Sequence, residues 1–282
     1  NCLEATGREH EILAWIVQNN TEKKNVLFTP LEKDENGKYV LGQFNDVESL
    51  ISTYNQKLYT SLKQQLRKMI IKYDHLFIEH YKEDTVSIIN TIKNLTQNGI
   101  NNYTNMVNYW MQTTNPVLCN EKQTALLNMF SLSKVALIYG SASTGKTFLI
   151  NHISNLFSNK SRLYLAQTNP AVNNLRRKVT ASSNCTFMTI SKFISKRYTG
   201  KTTFDILIID ECSTVNNHDM REVLNRANFE LLVLVGDTYQ IESIEFGNWF
   251  DSVRFFLPAS SVCELTKPYR SESKELLNVW TA

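Results

Sequence analysis

The residues with the clearest chemical use are Gly140-Ser141-Ala142-Ser143-Thr144-Gly145-Lys146-Thr147. They follow an apolar run, Val135 to Tyr139, and precede an amphipathic stretch, Phe148 to Phe157. Glycines let successive backbone N–H groups curl around phosphate oxygens, and the amino end of a following helix adds its positive dipole end. In such a loop Lys146 reaches the β- and γ-phosphates of a nucleotide, and the Thr147 hydroxyl ligates Mg2+. A chance glycine turn would need neither the apolar run before it nor the Lys-Thr pair after it, so nucleotide binding is expected.

A second element, Ile206-Leu207-Ile208-Ile209-Asp210-Glu211, ends an apolar run in two carboxylates. Ligands of open α/β sheets bind where buried strands end in this way. Asp210 is expected to hold the Mg2+ shell, and Glu211 to orient and activate an attacking water. Alone, the pair would as readily cap the following helix. Beside a phosphate loop it points to hydrolysis of a nucleoside triphosphate, with ATP and GTP both open at this stage.

These residues need a frame. After Pro116 the chain alternates short apolar runs with helical patterns: Val135 to Tyr139, Leu163 to Ala166, Phe187 to Ile190, Ile206 to Ile209 and Leu231 to Val235. Strands rich in Val, Ile and Leu that alternate with helices predict a parallel sheet covered on both faces. Before residue 115 the texture differs. Ile12 to Val17, Val26 to Thr29 and Tyr39 to Phe44 read as a small β element with a hairpin turn at Asp34-Glu35-Asn36-Gly37. From Asn45 the apolar residues Ile51, Tyr54, Leu58, Leu62, Leu66, Met69 and Tyr73 recur at helical steps, which predicts one long amphipathic helix with an Asn45–Glu48 capping box. Further helices are expected over Val86 to Leu95 and Tyr103 to Met111. The expected domains are therefore 1–115, mostly helical, and 116–282, the nucleotide-binding part.

Composition sets outer limits. The 282 residues, 42% of them hydrophobic, suffice for two cores, and a net charge of +3 leaves a nucleic-acid partner open without arguing for one. The five cysteines are scattered, without zinc-ligand pairs or a disulfide framework. His10, His75, His80, His152 and His218 show no ligand spacing, and none is assigned to a metal or to proton transfer. The chain has neither an apolar run long enough to span a bilayer nor a signal-peptide pattern at its first residues, so a cytoplasmic location is expected.

The strings around the two chemical elements narrow the reading. Asn120-Glu121-Lys122-Gln123 precedes the loop, Gly236-Asp237-Thr238-Tyr239-Gln240-Ile241-Glu242-Ser243-Ile244 follows the carboxylates, and Lys267-Pro268-Tyr269-Arg270 comes last. In this order they resemble superfamily 1 helicases, and within them the RecD-like branch. The resemblance covers about residues 117 to 271. It implies an α/β fold, a RecA-like P-loop NTPase whose parallel sheet is flanked by helices, preceded by a mostly helical N-terminal domain with a small β-hairpin. It also implies an ATP-hydrolysing motor acting on single-stranded DNA, with RNA as the alternative substrate. Gln123 would read the adenine edge, making ATP the nucleotide, while Gln240 would sense the γ-phosphate. Arg270 would stabilise charge in the transition state, and Tyr269 would stack on the base. Thr168 and Asn169, and Thr189 and Phe193, fall in segments similar to the family's strand-contacting motifs, where hydroxyl, amide and aromatic groups meet phosphates and bases. The plainer reading of Asn169 and Thr189 is that they cap helices. The basic cluster Lys192, Lys196, Arg197 and Lys201 reads as a solvated face.

Two residues depart from the family pattern. Ser143 occupies a loop position where glycine is usual, which demands a backbone angle that serine tolerates. Cys212 follows the acidic pair where a small or aliphatic residue is usual. The resemblance also implies a second RecA-like domain, which is not expected within these residues, so the expectation is of a first motor domain whose partner half comes from a missing C-terminal part or another chain. An ATP-dependent switch module in a larger assembly is the remaining alternative.

Overall fold

The computed structural model describes residues 7–58, 66–180, 184–237 and 246–266. The chain divides into two compact units: Asn1–Ser87 with Asn216–His218 and Ile244–Asn248, and Ile88–Val215 with Asp219–Ser243 and Trp249–Ala282.

In the first unit a helix, Glu9–Lys24, is followed by β1 (Thr29–Pro30), β2 (Glu32–Lys33) and β3 (Tyr39–Val40), then by a helix, Val47–Lys57, and by β4 (Met69–Lys72) and β5 (His75–Ile78). β1, β5 and β4 form an antiparallel sheet, and β2 pairs with β3. The hairpin turn lies where expected: Gly37 takes a left-handed φ of +78°, and Asp34 Oδ1 accepts from the N–H groups of Asn36 and Lys38. Leu13, Val17, Leu31, Phe44, Val47 and Leu76 are among the residues that close the core.

Several expectations for this region are corrected. Ile12 to Val17 belongs to the first helix rather than to a β element. The next helix is capped by Asp46, whose side chain accepts from Ser49 N, and not by Asn45. That helix ends at Lys57, and Met69–Lys72 is a strand. Helical spacing there loses to pairing: Met69 to Lys72 run antiparallel to His75 to Ile78 around a turn in which Tyr73 and Asp74 both have positive φ. The unit keeps the expected helical character, with Glu9–Lys24 and Val47–Lys57 beside strands of two to four residues. Residues 88–115 fall with the second unit rather than the first, because Ile88, Ile92, Tyr103 and Val107 are buried in its core clusters.

The second unit is built on β6 (Val135–Gly140), β7 (Arg162–Ala166), β8 (Cys185–Thr189), β9 (Ile206–Ile209), β10 (Leu231–Gly236) and β11 (Val262–Leu265). Every pairing in the sheet is parallel, in the order β11-β6-β10-β9-β7-β8. Alternate residues face opposite cores: Ala136, Ile138, Ile206, Ile208, Val233 and Val235 lie in one, and Val135, Leu137, Leu207, Ile209, Leu232 and Leu234 in the other. Burial on both faces is why these strands read as unbroken apolar runs. The α/β sheet flanked by helices is the expected nucleotide-binding fold. Among the described residues no helix is long and apolar enough to cross a membrane.

Candidate nucleotide-binding site

Strand order places the chemistry. β10 lies between β6 and β9, in register Val235↔Ile138 and Leu234↔Ile209. The carboxyl ends of these neighbours therefore come together: β6 runs into Gly140, β9 into Asp210 and Glu211, and β10 into Gly236 and Asp237. The crevice at such strand ends is where open α/β sheets hold ligands.

The loop after β6 is shaped by its small residues. A Cβ on Gly140 would stand 2.6 Å from Thr144 Oγ1 and 2.8 Å from the Leu265 carbonyl oxygen, so only glycine fits. Ser143 has φ +68° and Gly145 φ +91°, the left-handed angles that turn the loop back toward the helix. Thr144 Oγ1 donates to the Ser141 carbonyl at 2.9 Å and ties the loop across its base. Ala142 is exposed at the tip. The Lys146–Leu156 helix then begins, with Gly145 at its N-cap and no side-chain cap. A helix amino end without a side-chain cap is the arrangement that binds phosphate.

Lys146 Nζ donates to the carbonyls of Gly140 and Ser141, the latter at 2.9 Å. Asp237 Oδ2 lies 3.9 Å away. Burial pushes the lysine pKa down, while Asp237, Asp210 and Glu211 pull it up. Asp210 is buried and its pKa is pushed up to about 6, first by loss of water and then by Glu211, with its own bond from Glu211 N and the charges of Lys146 and Lys178 acting the other way. Burial also raises the Glu211 pKa. Glu211 has φ +58°, a conformation rare outside glycine and characteristic of functional positions.

Ser143, Lys146, Thr147, Asp210, Glu211 and Asp237 line one pocket of about 420 Å³, with Asn174 and Lys178 on its wall. A hydroxyl and a carboxylate, Thr147 and Asp210, supply hard oxygen donors of the kind that Mg2+ takes alongside phosphate oxygens. Asp237, Asn174 and Lys178 were not among the expected site residues. The position of Asp237 after the apolar run of β10, parallel to that of Asp210 after β9, is the signal that would have found it.

Other expected residues fall differently. Gln123 is exposed on the Asn120–Asn128 helix and is not among the pocket's lining residues. That helix is tied by Glu121 Oε1, which accepts from Thr266 N and Oγ1, each at 2.9 Å. Gln240, Tyr269 and Arg270 lie outside the described residues. Thr168 and Thr189 act as N-caps: their side chains accept from Ala171 N and Lys192 N. Asn169 is the exposed first residue of the Asn169–Lys178 helix, not its cap. Phe193 is fully buried in the core, so its ring cannot stack on a base. This corrects its assignment as a nucleic-acid contact, and the cause is that the short Ile190–Ile194 helix turns that side chain inward.

The AAA domain family is matched over residues 118–281. The chain belongs to this family. The AAA domain holds all of the pocket just described, and residues 1–87 of the first unit lie outside the match. No curated protein matches the chain. Among solved structures, it is similar to Pif1 helicase from Candida albicans, at 23% identity and TM-score 0.42 over 59% of this chain and 44% of that one. It is also similar to Bacteroides Pif1 bound to ssDNA, at 20% identity and TM-score 0.39 over 59% and 46%, and to the PRRSV helicase, at 15% identity and TM-score 0.32 over 50% and 31%. The chain spans less than half the length of these three structures.

Proposed function

We propose that this AAA domain is the ATP-hydrolysing motor of a superfamily 1 helicase of the RecD-like branch, translocating on single-stranded DNA. The observation that supports it most is the convergence of Lys146, Thr147, Asp210 and Glu211 on one pocket at adjacent strand ends. Lys146 and the loop N–H groups hold the phosphates. Thr147 and Asp210 would hold Mg2+, which would neutralise charge on the β- and γ-phosphates. Glu211, half-buried and with its pKa raised, accepts a proton from the attacking water.

The RecD-like assignment rests on the strings Gly236 to Ile244 and Lys267 to Arg270. In it Gln240 senses the γ-phosphate, Arg270 stabilises the transition state, Gln123 and Tyr269 hold the base, and Thr168, Asn169 and Thr189 face the nucleic-acid strand. The reading includes a second RecA-like domain, on the same polypeptide or a partner chain, and a cytoplasmic setting.

The test is ATPase rate with and without single-stranded DNA, and separately with RNA, on this chain alone and joined to a second RecA-like domain. Stimulation by DNA in the joined form is expected. Stimulation by RNA alone would move the substrate to RNA, and turnover indifferent to both nucleic acids would overturn the motor reading in favour of a nucleotide switch.

A further inference from the structure

We infer that His80, Asp84 and His218 form a binding site for a divalent transition-metal ion of the zinc class within the first compact unit. His80 and Asp84 lie four residues apart on the Glu79–Leu95 helix, which puts both side chains on one face, a turn apart. His218, at the start of the Asn217–Arg226 helix, belongs to the same unit through the segment Asn216–His218. That segment is fixed by Asn217, whose Nδ2 donates to Thr85 Oγ1 at 2.7 Å and whose backbone N–H donates to the Phe246 carbonyl at 2.9 Å. Phe246 in turn packs on Tyr81, ring centroids 5.4 Å apart. Both halves of the site are thus held by bonds next to its ligands.

The donor atoms converge. Asp84 Oδ2 lies 3.2 Å from His80 Nε2 and 3.7 Å from His218 Nδ1, and all three atoms lie within 4.8 Å of one another. Bonds of about 2.0–2.2 Å in a tetrahedral shell require donor atoms roughly 3.3–3.6 Å apart, so small side-chain movements suffice. Asp84 is 0% exposed, so its carboxylate meets both imidazoles with little competition from water. The His218 side chain is 49% exposed, which leaves one side of the site to water and gives a fourth ligand access. Two imidazoles and one carboxylate suit Zn2+, Co2+, Ni2+ or Cu2+ and suit Mg2+ poorly. The site is therefore chemically distinct from the phosphate pocket. His218 lies far from His80 and Asp84 in the sequence, which is why histidine spacing gave no sign of the site.

The experiment is titration of the full chain, stripped with chelator, with Zn2+ and with Co2+ in millimolar Mg2+, which occupies the phosphate pocket. One equivalent of Zn2+ should bind, and Co2+ should give a visible d–d spectrum without thiolate charge transfer. His218→Ala should weaken Zn2+ binding at least tenfold, and so should Asp84→Asn, while His75→Ala should leave it unchanged. His218 is surface-exposed, so its variant should keep the fold. Zn2+ binding that is absent from the unaltered chain, or equal in the folded His218→Ala variant, would overturn the site and leave the three residues as an ion-pair cluster.

Discussion

Lys146 Nζ lies 3.9 Å from Asp237 Oδ2 while donating to two carbonyls of its own loop. Three carboxylates, those of Asp237, Asp210 and Glu211, therefore act on one half-buried ammonium. Its closest partners are neutral carbonyls, whereas a phosphate oxygen brings a full opposite charge to the ammonium. The lysine is held where a triphosphate can take it over from the loop.

Replacing Lys146 with Ala should therefore weaken ATP binding sharply. A hydrogen bond to a charged group contributes about 1.5–3 kcal/mol, and about 1.4 kcal/mol is tenfold in affinity, so a loss of at least about tenfold is expected. Titration with a fluorescent nucleotide reads it, with circular dichroism to show that the fold is kept. Unchanged affinity would remove the phosphate-loop assignment.

Glu211→Gln should separate binding from chemistry. The amide keeps the size of the side chain but cannot take a proton, and a positioned general base contributes about 10²- to 10⁴-fold. Single-turnover hydrolysis should fall in that range while nucleotide affinity changes little. If hydrolysis survives, Asp237 is the next candidate for the base.

The phosphate loop and the acidic pair were legible because each follows a short unbroken apolar run, the pattern of a strand buried on both faces. Asp237 follows such a run too, yet one carboxylate after Gly236 carries less signal than the pair Asp210-Glu211. The N-terminal region was harder. Met69 and Tyr73 keep step with Ile51 and Leu62 by sequence spacing, but a hairpin turn at Tyr73–Asp74, with neither Asn-Gly nor Asp-Gly to mark it, puts Met69 in a strand. Phe193 was expected to stack because its segment is similar to a strand-contacting motif, and Ser191 and Lys192 beside it are polar. The short helix exposes them and buries the ring.

The loop angles give a stability test. Ser143 at φ +68° bears a left-handed conformation that costs a non-glycine residue about 1–2 kcal/mol, of which glycine's greater freedom when unfolded takes back about 0.5–1. Ser143→Gly should thus stabilise the protein by up to about 1.5 kcal/mol and leave nucleotide affinity within twofold. Gly145→Ala, at φ +91°, should lower stability by a similar amount and weaken nucleotide binding. Thermal unfolding of both variants checks the pair, and a lower melting temperature for Ser143→Gly would contradict the strain.

Phe193 supplies the test of the nucleic-acid face. Its ring is fully buried, 5.5 Å from that of Tyr198, so Phe193→Ala would open a cavity at a cost of about 3–5 kcal/mol and risk the fold. Phe193→Leu keeps an apolar side chain of similar volume, and such swaps usually cost less than about 1.5 kcal/mol. The leucine variant should melt a few degrees lower and bind single-stranded DNA as the unaltered chain does, whatever that affinity is. Base stacking is worth about 1–3 kcal/mol per base, so a ring that stacked on a base would, once replaced, show roughly a fivefold or greater fall in affinity without a matching fall in stability. That outcome would place the ring at the nucleic-acid strand after all, and would require the Ile190–Ile194 helix to turn over when the strand binds.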